Sequence, residues 1–117
     1  MKPKYSFFKN FAYARAGFKE VFRSEKSFRL EIIYFVLLSI IALFLPYPVW
    51  AKIVLITSML VPLIVELLNS AIERVVDMVT SEYNELAKYA KDAAAAAVML
   101  SLIFSGFVWI GVIVYFW

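Results

Sequence analysis

The sequence predicts an all-α integral membrane protein: an N-terminal amphipathic surface helix followed by three transmembrane helices per subunit. Three observations carry this. Hydrophobic residues make up 64% of the chain and the mean hydropathy is +0.82, where a soluble domain would be roughly half apolar. Apolar runs at 32–45, 53–65 and 93–117 are divided by a Pro-Tyr-Pro turn and by a polar stretch. Eight of the twelve Lys and Arg residues fall between Lys2 and Arg29, against only two acids there, Glu20 and Glu25. The 117 residues leave room for one membrane-embedded domain, 1–117, and no second one.

The first element is a surface helix over 6–23. Phe7, Phe11, Phe18 and Phe22 recur at helical spacing, with Lys9, Lys19 and Arg23 on or near the other side. An aromatic stripe opposite basic residues lies in the lipid interface, rings down and cations toward anionic headgroups. Ser6 is placed to cap it. No uninterrupted apolar stretch or small-residue cleavage site precedes Arg29, so a cleaved leader is not expected.

A polar break, Ser24–Ser27, leads to the first span, 28–45, with Arg29 and Glu31 at its start. Its charge-free part is shorter than the usual span of about 20 residues, so the charged end must snorkel or face protein. Pro46-Tyr47-Pro48 stops it, since proline lacks an N–H and keeps the preceding residue out of helix. Tyr47 and Trp50 form an interfacial aromatic pair. The second span, 51–79, carries Pro62 as a candidate kink. A loop is expected at Thr80–Asp92. The third span, 93–117, has no charge and opens on Ala93–Ala97, small residues that let helices approach closely. Lys and Arg flank the N-terminus and the second connection, where Arg74, Lys88 and Lys91 lie. The positive-inside rule therefore puts both in the cytoplasm and the C-terminus outside.

Composition removes several chemistries. The chain has no Cys and no His, so thiolate nucleophiles, Zn–thiolate sites and Ser-His-Asp catalysis are excluded, and acid–base work falls to Asp, Glu, Lys or Tyr. With only Gly17, Gly106 and Gly111, no Walker loop or protein-kinase glycine loop can be built. No nucleic-acid partner is expected.

What remains is an acidic row. Glu66, Asn69, Glu73 and Asp77 follow one another at intervals of three or four, which at about 100° per residue places them on one helix face. Carboxylates at membrane depth face protein or a wet cavity. Two readings are open: a divalent-metal and general-base site, or helix adhesion through ion pairs with Arg29, Arg74, Lys88 or Lys91. A proton or cation carrier using the row as a relay, and a non-catalytic membrane adaptor, are readings from other classes.

The segments E-L-L-N-S-A-I-E-R-V-V-D from Glu66, S-E-Y-N-E-L from Ser81 and A-K-D-A-A-A-A-A-V from Ala90 resemble the prokaryotic diacylglycerol kinase family, which includes the undecaprenol kinases of Gram-positive bacteria. The likeness extends upstream to Ala14-x-x-Gly17 and Glu25-x-x-Phe28-Arg29-x-Glu31, and so covers nearly the whole chain. It implies an inner-membrane enzyme of bacteria that uses ATP and Mg²⁺ to phosphorylate diacylglycerol, giving phosphatidic acid. It also implies a homotrimer with active sites shared between subunits. Carried over by position, Glu66 is the general base toward the lipid hydroxyl. Glu25 and Glu73 hold metal on the nucleotide phosphates, and Asn69 shapes the site beside the base. Lys91 contacts phosphate, with Asp92 its acidic neighbour, and Glu85 and Gly17 lie near the nucleotide. Asp77 is tied to site integrity, while Arg29 and Glu31 are polar residues at the start of the first span. Undecaprenol is the alternative acceptor. Leu30 and the Ala93–Ala97 patch depart from the family pattern, whereas S-E-Y-N-E-L and Glu31 lean toward the diacylglycerol branch.

Overall fold

The computed structural model describes residues 6–117 as four helices: α1 Phe7–Ser24, α2 Lys26–Phe44, α3 Val49–Val79 and α4 Glu85–Phe116. The last three are long and apolar enough to cross a membrane. α3 is the spine. It packs along α4 and against α2, and α1 folds back onto α2 and α3.

Apolar exposure follows from that plan. Leu37, Ile41, Ile103, Phe107 and Val114 point outward, as side chains in contact with acyl chains must. The interior is narrow. Val21 of α1, Phe28 of α2 and Leu63 of α3 form one buried cluster, with Ile32, Phe35 and Leu67 packed on it. Phe28, fully buried, also meets the edge of Phe18 at a 5.2 Å ring separation. Where α3 meets α4 the buried residues include small or hydroxylic ones, Ser58, Ala94, Ser101 and Ser105, beside Leu55 and Met59. Ser58 and Ser101 donate to carbonyls three residues back, 2.8 and 2.6 Å away, which satisfies hydroxyls that lipid cannot. The Trp109 ring of α4 donates to the Leu55 carbonyl of α3 at 3.1 Å.

Element boundaries differ from the sequence reading in three places. The polar break before α2 shrinks to one extended residue, Glu25 (φ −121°, ψ 114°), because Lys26 and Ser27 join the helix. α3 starts at Val49, immediately after the Pro turn, and continues through Pro62. α4 starts at Glu85 rather than at 93. Asn84 caps it, its side-chain oxygen accepting from the N–H groups of Leu86 and Ala87 at 2.9 and 3.1 Å. The connection is therefore only 80–84, and Glu85, Lys91 and Asp92 stand on a helix instead of a loop. The side chain of Ser6 makes no cap bond to α1, although its carbonyl accepts from Asn10.

Two further contacts tie the far end. Across the Pro46-Tyr47-Pro48 turn, Lys52 donates to the Leu43 carbonyl at 2.8 Å, satisfying an orphan acceptor of the α2 terminus. Tyr47 stacks on Phe116 at 4.5 Å, and Trp50 meets Tyr115 edge-on at 6.3 Å. The aromatic pair read from sequence thus packs against the C-terminal aromatics.

Candidate active site

Helical phase explains the local layout. From Glu66 to Asp77 the acidic row occupies one arc of α3, and Ser70 and Arg74 lie on its flank, one turn apart. Because α1 and the start of α2 pack on that flank, the row splits into two groups with different partners.

The inner group is assembled at the α1–α2 junction. Glu66 is buried, only 5% exposed. Its carboxylate accepts from the Ser27 hydroxyl at 3.5 Å, and among the described residues no Lys or Arg pairs with it. Glu25 and Glu73 both lie within electrostatic reach of it, as does Glu31. Asn69 donates to Glu73 Oε1 at 2.9 Å, which fixes that carboxylate; its own Oδ1 is buried without a partner. Glu25 reaches α3 through a bond that Ser70 Oγ donates to Oε2. Arg74 donates to both oxygens of Glu20 at 2.8–2.9 Å and to Ser24 Oγ at 2.9 Å, and its other terminal nitrogen stands 3.8 Å from Glu25 Oε2.

The outer group joins α3 to α4. Lys91 donates to Asp77 at 2.7 Å and Lys88 to Asp92 at 2.6 Å, so Lys91 pairs across the helices and not with its neighbour Asp92. Asp77, Glu82, Asn84, Lys88, Lys91 and Asp92 line a polar pocket of about 290 Å³. Lys91 is also within electrostatic reach of Glu73, which links the two groups.

The remaining predicted residues lie at the margins. Glu85 is exposed in the first turn of α4, where an acid suits the helix dipole. Gly17 borders a pocket of about 480 Å³ between α1 and α3 with Ala14, Leu67, Ala71 and Arg74. A Cβ there would meet nothing within 4 Å, so packing inside the subunit does not demand glycine. Arg29 donates to the carbonyls of Phe22 and Arg23 at 2.9 and 2.7 Å and thereby caps α1. Glu31 borders an apolar pocket of about 400 Å³ between α2, α3 and α4, with Pro62 and Trp109, and its buried Oε2 has no partner.

Four side chains of the inner group, Glu20, Ser27, Ser70 and Arg74, were not among the residues that the sequence singled out for the site. Ser70 and Arg74 could have been found as the flank of the acidic row. Glu20 and Ser27 could not, because their roles depend on how α1 and α2 dock.

Oxygen donors dominate, and with neither Cys nor His present the set suits a hard cation. Among the described residues no three acidic side chains converge as a closed metal cage. Mg²⁺ does not need one, since one or two carboxylates complete its shell together with waters and substrate phosphates. Glu25, Glu73 and the unpartnered Asn69 Oδ1 fit that requirement.

The family model for prokaryotic diacylglycerol kinase matches residues 12–113. The diacylglycerol kinase of Escherichia coli is 39% identical over 97 residues, 83% of this chain and 80% of that one. The diacylglycerol kinase of Haemophilus influenzae is 38% identical over 101 residues, 86% of each chain. For the Pseudomonas aeruginosa enzyme of the same name the figures are 42% over 90 residues, 77% of this chain and 73% of that one.

Proposed function

This chain belongs to the prokaryotic diacylglycerol kinase family and is a membrane kinase, and we propose that it moves the γ-phosphoryl group of ATP to the primary hydroxyl of diacylglycerol, giving phosphatidic acid. The observation that carries the reading is Glu66: a buried carboxylate with a hydroxyl donor, flanked by two more carboxylates and, among the described residues, paired with no cation. A carboxylate already satisfied by Lys or Arg would be a poor proton acceptor. One held only by neutral donors, the Ser27 hydroxyl and the Asn69 amide, keeps a lone pair for the acceptor's proton.

Phosphoryl transfer asks mainly for positioning and charge neutralisation. Glu66 takes the proton of the lipid hydroxyl. Glu25 and Glu73 hold Mg²⁺, which when bound neutralises phosphate charge. Asn69 keeps the Glu73 carboxylate oriented through its amide. Lys91 spends one of its three donors on Asp77 and has two left for phosphate oxygens. The reading includes a homotrimer that shares sites between neighbours, with the N-terminus in the cytoplasm and the C-terminus outside, in a bacterial inner membrane. The clustering of basic residues between Lys2 and Arg29 supports that orientation.

The test is purified protein in detergent with γ-labelled ATP, Mg²⁺, and diacylglycerol and undecaprenol in competition. Label in phosphatidic acid is expected. Label mainly in undecaprenyl phosphate would reassign the acceptor, and no label in either lipid would overturn the reading.

A further inference from the structure

Arg74 stands between two carboxylates on opposite sides of the α1–α2 junction. One terminal nitrogen holds Glu20 at 2.8 and 2.9 Å and also Ser24 at 2.9 Å; the other is 3.8 Å from Glu25 Oε2. Glu25 Oε2 already accepts the Ser70 hydroxyl, so among the described residues both polar contacts of the Glu25 side chain fall on that one oxygen. The closer pair, Arg74 with Glu20, is neutral as a unit. Glu25 is therefore left with no ion-pair contact closer than 3.8 Å, although a guanidinium lies beside it.

This partition is consequential. A cation next to a metal-holding carboxylate competes with the metal, and the competition grows as the cation closes from 3.8 Å to ion-pair contact. Arg74 sits one helical turn beyond Ser70 on a flexible stem, and Glu25 is the next anion within its reach. Among the described residues, Glu20 and Ser24 are what draw the guanidinium away. We propose that Glu20 is a positioning residue of this kinase: by holding Arg74 at the last turn of α1, it keeps the Glu25 carboxylate free for the divalent cation. The proposal rests on the reading of Glu25 as a metal-holding residue.

A plainer role is that Glu20 and Arg74 only fasten α1 to α3. The two roles differ in a double-mutant comparison read by direct binding. The full chain in detergent is titrated with Mn²⁺ in the presence of a non-hydrolysable ATP analogue, and free Mn²⁺ is followed by electron paramagnetic resonance. Glu20→Gln is expected to weaken Mn²⁺ binding roughly five- to ten-fold, the effect of one uncompensated charge beside a divalent ion in a partly screened site. Glu20→Gln combined with Arg74→Gln should return affinity to within about two-fold of the parent, because the competing cation is gone. Glu20→Asp, whose shorter arm holds Arg74 less well, should fall between the parent and Glu20→Gln, and it serves if Glu20→Gln folds poorly. Equal weakening in Glu20→Gln, Arg74→Gln and the double variant would show a fastener only and overturn the proposal. Parent-like binding in Glu20→Gln would overturn it too. Glu25→Gln is the separate control. If it leaves Mn²⁺ affinity unchanged, the assignment of Glu25 to the metal has failed and the inference falls with it.

Discussion

The two polar groups on α3 differ in what neutralises them. Around Glu66 the partners are mainly neutral: a serine hydroxyl for Glu66, an asparagine amide for Glu73 and a second serine for Glu25. Around Asp77, four residues beyond Glu73, the partners are lysines, and the pairs are open to solvent. The same helix face therefore carries acids left chemically available at depth and acids satisfied as ion pairs nearer its end. Depth explains the division. An exposed ion pair costs little to form and contributes little, whereas burying a cation beside Glu66 would add desolvation and occupy its free lone pair.

Glu66→Gln is the largest way to break this contrast. It preserves shape and one acceptor oxygen but removes the base, so kcat should fall at least about 10²-fold with nucleotide binding largely kept. Near-parent turnover would mean that availability at depth has no catalytic meaning. Glu25→Ala and Glu73→Ala come next. If they hold one ion, each should raise the Mg²⁺ concentration needed for half-maximal rate, by at least about the ten-fold that even outer-shell losses cost, and together they should be non-additive. Strictly additive losses would separate their roles. At limiting Mg²⁺, mixing the two single variants should restore some activity if the two ligands come from different subunits, and complete failure to do so would count against shared sites.

A smaller effect is expected in the surface helix, whose aromatic stripe is itself divided. Phe7 and Phe11 are largely exposed, while Phe18 packs on Phe28. Replacing Phe7 and Phe11 together by Ser should weaken attachment to vesicles and use of long-chain acceptor, with thermal stability held. Phe18→Ser should lower stability by about 1 kcal/mol through the lost ring pair alone. Equal behaviour of the two variants in a melting curve would show the stripe to be uniform. The smallest effect belongs to the outer group: any stability lost in Asp77→Asn should coincide with that lost in Lys91→Gln and fade in 1 M salt, where the Debye length is about 3 Å. A loss that survives salt would mean that this pair behaves like the inner group.

How far these features were legible in the sequence varies by their range. The acidic row, the spans and the Pro turn come from spacings within one helix or from the absence of an N–H, so local reading suffices. The start of α4 was legible in principle. Asn84 followed by Glu-Leu-Ala-Lys-Tyr-Ala is a cap before strong helix formers, but the charges in that stretch read as loop. The tie from Arg74 to Glu20 spans 54 residues and exists only because α1 folds back on α3. No periodicity encodes that docking, so Glu20, Ser27 and the division of labour around Glu25 had to come from the structure.

Glu25 is the only residue between α1 and α2 without helical backbone, and its N–H and carbonyl still join hydrogen bonds to Val21 and Arg29. In mechanical terms it is a fulcrum. The 18 residues of α1 form an arm of about 27 Å at 1.5 Å per residue, so a 20° swing about Glu25 would carry Phe7 about 9 Å while the Glu25 backbone barely moves. Such a swing would open space beneath the tip without dismantling the carboxylate at the pivot. Glu20 stands roughly 7 Å from that pivot along the axis, so the Arg74 clasp works on the short arm of the lever and feels only a quarter of the tip's travel.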